Sequence, residues 1–188
     1  MYVRPMNREV DRSDLARRIY EAAHLTGTFT LRSGVVSHEY FDKYRFESDP
    51  QLLADIAEAS AGLVPTDIDA LAGLELGGVP LATMISQVTR LPAAFVRKEA
   101  KTYGTCRLAE GAEVAGQRLC IIEDVVTSGG AILDAARELR AGGAVLGPVI
   151  CVIDRESGGP EKLAAADLEL FPLYTMTELN SAAGSTGA

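Results

Sequence analysis

The chain has 188 residues, 47% of them hydrophobic, enough for one core that buries most of its apolar surface and too few for two full domains. Its 26 acidic and 18 basic side chains leave a formal charge of -8. That balance excludes a surface that grips nucleic acid or an anionic membrane through clustered Lys and Arg, so any anionic ligand has to be met by a local site.

From Ser13 to His24, Leu15, Ile19 and Ala23 repeat at helical spacing, with Ser13 as the expected cap and Gly27 past the end. Phe29 to Leu31 and Val35 to Phe41, joined by a Ser33-Gly34 turn, read as two short extended segments, so residues 1–45 are expected to form a helix and a small hood. Asp49-Pro50 is a cap followed by proline at the first helical position, and Leu52, Leu53, Ile56 and Ala57 carry that helix towards Gly62. Thereafter short apolar runs alternate with helical stretches: Ala70 to Leu74, Pro80 to Thr89, Ala93 to Val96, Leu119 to Val126, Ala131 to Arg140, Val149 to Ile153. This order predicts an α/β fold, a mostly parallel sheet flanked by helices, and the unbroken apolarity of LCIIEDVV marks a strand buried on both faces. Ligands of such sheets sit beyond the carboxyl ends of the strands. Residues 97–113, charged and without apolar periodicity, read as a mobile loop, and residues 181–188 as a frayed tail, within a single domain spanning 1–180.

Cys106, Cys120 and Cys151 are far apart and give no disulfide framework. His24 and His38 have no neighbour at metal-ligand spacing. The charged N-terminus has no apolar core and no run approaches the ~18 apolar residues of a membrane span, so a soluble, cytoplasmic protein is expected.

The most informative segment is LCIIEDVVTSGGAILDAARELRAGGA, a buried strand, two acids, a glycine-ended turn and a helix. Amides of Thr127, Ser128, Gly129 and Gly130 would stand at the helix start, where unpaired donors and partial positive charge suit a phosphate dianion. Glu123 and Asp124 precede that cradle and can accept from vicinal ribose hydroxyls. Taken singly, an acidic pair is a solvated strand end and a glycine turn is an ordinary connection; in this order they point to a ribose 5-phosphate. Neither GxxxxGK[ST] nor a GxGxxG after a strand is present.

IIEDVVTSGGA resembles the phosphoribosyl pyrophosphate signature of type I phosphoribosyltransferases, and VRKEAKTYG, FTLRSG and VIDRESGG resemble segments of their orotate branch, a similarity spanning roughly Phe29 to Gly159. The resemblance implies that fold, a Mg²⁺-dependent transfer from phosphoribosyl pyrophosphate to orotate, and a homodimer in which the mobile loop is shared between subunits. It implies a catalytic set of Lys101, Lys98, Arg97 and Asp124. Glu123 and Asp124 would hold the ribose hydroxyls, and Val125, Val126, Thr127, Ser128, Gly129, Gly130 and Ala131 the 5-phosphate. Arg155 matches the arginine that pairs with the orotate carboxylate, a task suited to a planar guanidinium fork, and Tyr40 and Phe41 match aromatics flanking the base. Arg32 stands where the family usually has lysine, and Tyr103 where it has histidine, leaving a phenol as hydrogen-bond donor. The loop GLELGG, Gly73 to Gly78, carries no lysine, so a pyrophosphate contact there, at Gly77, would use backbone amides. No dedicated metal ligands are expected, because Mg²⁺ is held mainly by substrate oxygens and water.

On residue pattern alone, RKEAK is a solvated charge run, Arg155 a surface partner of Asp154 or Glu156, and Tyr40 and Phe41 core aromatics. Two other functions stay open at this point: transfer to a purine or another base, favoured if the charged stretch HEYFDKYR reshapes the pocket, and a non-catalytic regulator that senses phosphoribosyl pyrophosphate.

Overall fold

A computed structural model of the protein describes residues 10–30, 34, 36–98 and 108–184. Helix α1 (Arg12–Ala23) starts where Asp11 accepts hydrogen bonds from the amides of Ser13 at 2.8 Å and Asp14 at 3.1 Å, satisfying two of the donors that every helix start leaves over. The cap is therefore Asp11 and not Ser13, because the carboxylate one turn back reaches both amides. Leu15, Ala16, Ile19 and Ala23 form the buried stripe, and the chain passes straight into β1 (His24–Thr30), so Gly27 lies within a strand and does not end the helix. β1 pairs antiparallel with β2 (Val36–Phe41), which is the anticipated hood. A one-turn helix α2 (Tyr44–Ser48) that the sequence pattern did not announce follows, and then α3 (Pro50–Ala61), where Asp49 caps Gln51 and Leu52 at 2.9 Å.

Six strands build the central sheet: β3 (Ala70–Leu74), β4 (Ala93–Val96), β5 (Ala109–Gly111), β6 (Arg118–Val126), β7 (Val145–Asp154) and β8 (Leu170–Thr175). Helices α4 (Gly78–Thr89), α5 (Gly130–Ala141), α6 (Gly159–Ala164) and α7 (Met176–Gly184) complete the chain. The strand order is β5-β4-β3-β6-β7-β8, parallel throughout except for β5 at one edge. Alternate residues of β6 feed two cores, as strand geometry requires. Cys120 and Ile122 join Leu15, Ile19, Ile56, Leu81 and Ile85 on one face. Leu119 and Ile121 join Ile132, Ala136, Leu139 and Leu163 on the other.

The anticipated α/β architecture is present, with three adjustments. The segment read as loop to Glu113 contains β5, whose three residues bond to β4 and close the sheet edge. The segment read as tail is helical to Gly184, because Leu179 of α7 is buried and α7 packs on α1. β7 starts at Val145, four residues before the apolar run that suggested it. No helix among the described residues is long and apolar enough to cross a membrane.

From β3 the chain steps outward to β4, then returns to add β6 on the other side of β3. The strand order reverses between β3 and β6, and the crevice that such a reversal opens lies beyond Leu74 and Val126. Close approach of backbone sets this crevice. A Cβ on Gly73 would lie 2.7 Å from Ala82 Cβ and 2.9 Å from the Gly78 carbonyl carbon, and one on Gly78 would overlap the Ile122 carbonyl oxygen. Gly73→Ala is thus expected to cost about 2 kcal/mol or more through overpacking, whereas Gly62→Ala, whose new methyl finds its nearest neighbour at 3.6 Å, is expected to stay within about 0.5 kcal/mol. Urea denaturation of the two variants measures the difference.

Candidate active site

Helix α5 begins without a side-chain cap: its N-cap is Gly129, at φ +74°. Glycine is required there, since the left-handed conformation disfavours a side chain and a Cβ would also press on Leu163 Cγ at 3.2 Å. Thr127, Ser128, Gly130 and Ala131 are exposed around this turn, so the first amides of α5 look into the crevice with no side chain drawn across them. From behind, Gly159 of α6 approaches so closely that a Cβ would lie 2.8 Å from the Thr127 carbonyl oxygen. The result is a cradle of uncapped backbone donors on a rigid footing, an arrangement of the kind that suits an anion. Val125 and Val126 are its root in the sheet, the latter buried.

Beside the cradle, Asp124 is fully buried. One carboxylate oxygen accepts from the Val125 amide; the other is in direct ion-pair contact with the Lys43 ammonium. Glu123, half-buried, accepts from the Asp124 amide at 3.2 Å. Glu47 of α2 is also buried, and its Oε1 and Asp124 Oδ2 face the same point beside Gly77, where any Cβ would overlap Asp124. Gly77 is buried in the turn from β3 to α4, next to a cis peptide between Glu75 and Leu76. Three carboxyl groups therefore share one cation in a space with little water. Burial, followed by the hydrogen bond to Asp124 and that group's charge, pushes Glu47 up to about 8, and burial with the same neighbour pushes Glu123 up to about 9. For Asp124 burial also opposes ionisation, but hydrogen bonds from Glu123 and Lys43 and the Lys43 charge outweigh it and hold this acid below the usual carboxylate range. The shared neighbours thus drive the three acids apart, Asp124 toward the ionised form and Glu47 and Glu123 toward the protonated one.

At the carboxyl end of β7, Arg155 is exposed, anchored by its amide to the Val126 carbonyl at 2.8 Å, with its guanidinium 6.0 Å from the centre of the Phe41 ring. Tyr40, 44% exposed, leans instead on Phe29, ring centres 5.4 Å apart. Of the two hood aromatics the structure brings Phe41 to Arg155. Arg97, half-buried, and exposed Lys98 stand at the carboxyl end of β4, and the Arg97 amide donates to the Leu108 carbonyl at 2.9 Å, closing the neck of the intervening segment. Lys101, Tyr103 and Arg32 lie outside the described residues. Among the described residues no group of three or more His, Cys, Asp or Glu is arranged to hold a metal.

Sequence reasoning missed Lys43 and Glu47. They are one helical turn apart on either side of fully buried Phe46, and that spacing within a charged run was the available signal. A carboxyl that keeps its proton only when folded withdraws stability as pH rises, here between the ordinary value of 4.5 and about 8. Glu47→Gln, which cannot ionise, is expected to leave Tm nearly unchanged at pH 5 and to raise it by about 2–4 °C at pH 8; thermal scans across that range give the answer, and a pH-independent offset would contradict a protonated Glu47.

The model of the phosphoribosyl transferase domain family matches residues 45–170. An orotate phosphoribosyltransferase from Nocardioides sp. is 56% identical over 168 residues, covering 89% of this chain and 94% of the relative. Crystal structures of orotate phosphoribosyltransferase from Mycobacterium tuberculosis H37Rv superpose well. The complex with Fe(III) dicitrate gives a TM-score of 0.80 at 32% identity, covering 89% of this chain and 98% of that one. The complex with 5-phospho-alpha-D-ribosyl 1-diphosphate gives 0.78 at 29%, covering 90% and 98%. On the family match and the identity together, the chain belongs to the orotate phosphoribosyltransferase family.

Proposed function

We propose that the protein transfers the 5-phosphoribosyl group of phosphoribosyl pyrophosphate to orotate, releasing pyrophosphate and giving orotidine 5'-monophosphate for pyrimidine biosynthesis. One juxtaposition carries the reading: the uncapped start of α5 and the Arg155 guanidinium beside Phe41 stand at the carboxyl ends of β6 and β7, next to the buried Asp124 carboxylate and its Lys43 partner. In this reading the amides from Thr127 to Ala131 receive the 5-phosphate, Asp124 and Glu123 engage the ribose hydroxyls, and Arg155 pairs with the orotate carboxylate against the Phe41 face. Gly77 leaves room for the pyrophosphate side of the ribose, and Tyr40 forms the outer wall of the base site.

Displacement of pyrophosphate from C1 by the base nitrogen develops positive charge on the sugar and negative charge on the leaving group. Buried, anionic Asp124 lies on the ribose side, where it favours the former. Arg97 and Lys98, at the crevice mouth, and Lys101, Tyr103 and Arg32, placed by sequence resemblance, would meet the latter. Among the described residues no group of three or more acids, His or Cys is gathered to hold a metal, which fits a Mg²⁺ ion that would be carried on donor oxygens and water and would neutralise pyrophosphate charge when bound. The loop bearing Lys101 would be contributed across a homodimer, closing over the donor and excluding water that would otherwise hydrolyse it. Free, buried Cys120 and Cys151 suit a reducing cytoplasm.

Loss of orotate ultraviolet absorbance on mixing with donor and Mg²⁺ is the direct test, with purine bases and uracil offered in parallel; turnover of another base and none of orotate would refute the proposal. Arg155→Ala is expected to raise the orotate KM on the order of 10–100-fold, the loss of a charge-assisted pair, with little change in the donor KM. Lys101→Ala is expected to lower kcat about 100-fold while donor binding by calorimetry changes far less.

A further inference from the structure

Lys43 and Glu47 reach Asp124 across 81 and 77 positions of sequence, so their contact is made by the fold. The hood hairpin delivers α2 onto the crevice, and fully buried Phe46 fixes it there. Gly77 then gives the Asp124 carboxylate the only space it has on that side. An exposed ion pair of this kind would do little. This one differs because the acid is fully buried while the base is half-buried, and a buried carboxylate deprived of its cation takes up a proton or turns away. Either change would strike the property that the proposed function asks of Asp124, acceptance of hydrogen bonds from a diol.

The charges around Asp124 are few. β6 supplies Glu123, and α2 with the turn before it supplies Lys43 and Glu47, with Asp42 and Tyr44 acting on those two. β3 and α4 contain no charged residue, and Glu75 between them is exposed. From β7, Asp154 is occupied by the Glu156 amide at 2.9 Å. Lys43 is thus the one cation in contact with Asp124 among the described residues.

We infer that Lys43 is a positioning residue for Asp124: through its ion pair with the buried carboxylate it holds that group in place to accept from the ribose diol of the donor. The inference rests on the reading of Asp124 as diol acceptor, and the experiment separates the two. Steady-state kinetics would compare wild type, Lys43→Met, Lys43→Arg, Asp124→Asn and the double variant Lys43→Met/Asp124→Asn, with Tm reporting folding. Lys43→Met is expected to raise the donor KM at least about tenfold while the orotate KM stays within about twofold. Its acid limb of kcat/KM for the donor moves to higher pH, because loss of the ammonium lets Asp124 hold its proton longer. Lys43→Arg restores most of the affinity. In the Asp124→Asn background Lys43→Met adds less than about twofold, there being no charge left to position. Should Lys43→Met fail to fold, Lys43→Gln against Lys43→Arg provides the same comparison. An unchanged donor KM in the Lys43 variant, with Asp124→Asn impaired, overturns the inference and leaves the function standing, as does full additivity in the double variant. An unimpaired Asp124→Asn overturns both the inference and the reading of Asp124 as diol acceptor.

Discussion

The architecture of the crevice follows from one constraint: a carboxylate, Asp124, is buried completely at the end of a central strand and must be satisfied there. Its satisfaction draws in three separate parts of the chain. β6 contributes the Val125 amide, the turn before α2 contributes Lys43, and the β3-α4 turn contributes a glycine because nothing larger leaves room. A parallel sheet whose order reverses between β3 and β6 is what brings those parts together. Each is short of freedom for its own reason, so the acid is held more firmly than any of its contacts alone could manage.

The formal charge of -8 gives a poor picture of this neighbourhood. A polyanionic donor approaching three carboxylates would be repelled, but burial and the Asp124 charge push two of the three, Glu47 and Glu123, toward the protonated form. The remaining charge is matched by Lys43, and the adjacent helix start offers backbone donors that add no net charge at all. An acidic protein can therefore present a locally receptive anion site without a basic patch, which is why the overall balance excluded nucleic acid and membranes yet did not argue against a phosphorylated ligand.

Legibility in the sequence followed range. The mostly parallel sheet was foreshadowed by apolar runs alternating with helices, and the β6-turn-α5 unit by EDVVTSGG, because a strand, a turn and a helix start are neighbours in the chain and their pattern is local. Asp11 was passed over as a cap because Ser13 is equally eligible by type, and only the hydrogen bonds decide. β5 was hidden since three residues carry no periodicity and acquire strand geometry only by pairing with β4. For Lys43 and Glu47 the one-turn spacing was a signal too weak to assign them to the site. A charged run is normally a solvated face, and only the packing of Phe46 turns this one inward.

The hood acquires its meaning from the same packing. Residues 36–48 form one continuous stretch that meets Arg155 through Phe41 at its near end and Asp124 through Lys43 two positions later. In the proposed reaction those two contacts stand at the base and at the ribose, the two halves that must be held in line for displacement at C1. Residues separated by a single turn cannot move independently, so a shift of the hood that spoils the base site would disturb the charge partner of Asp124 as well. The short distance between Phe41 and Lys43 would, in that reaction, tie acceptor placement to donor placement by covalent geometry, with no separate element needed to link them.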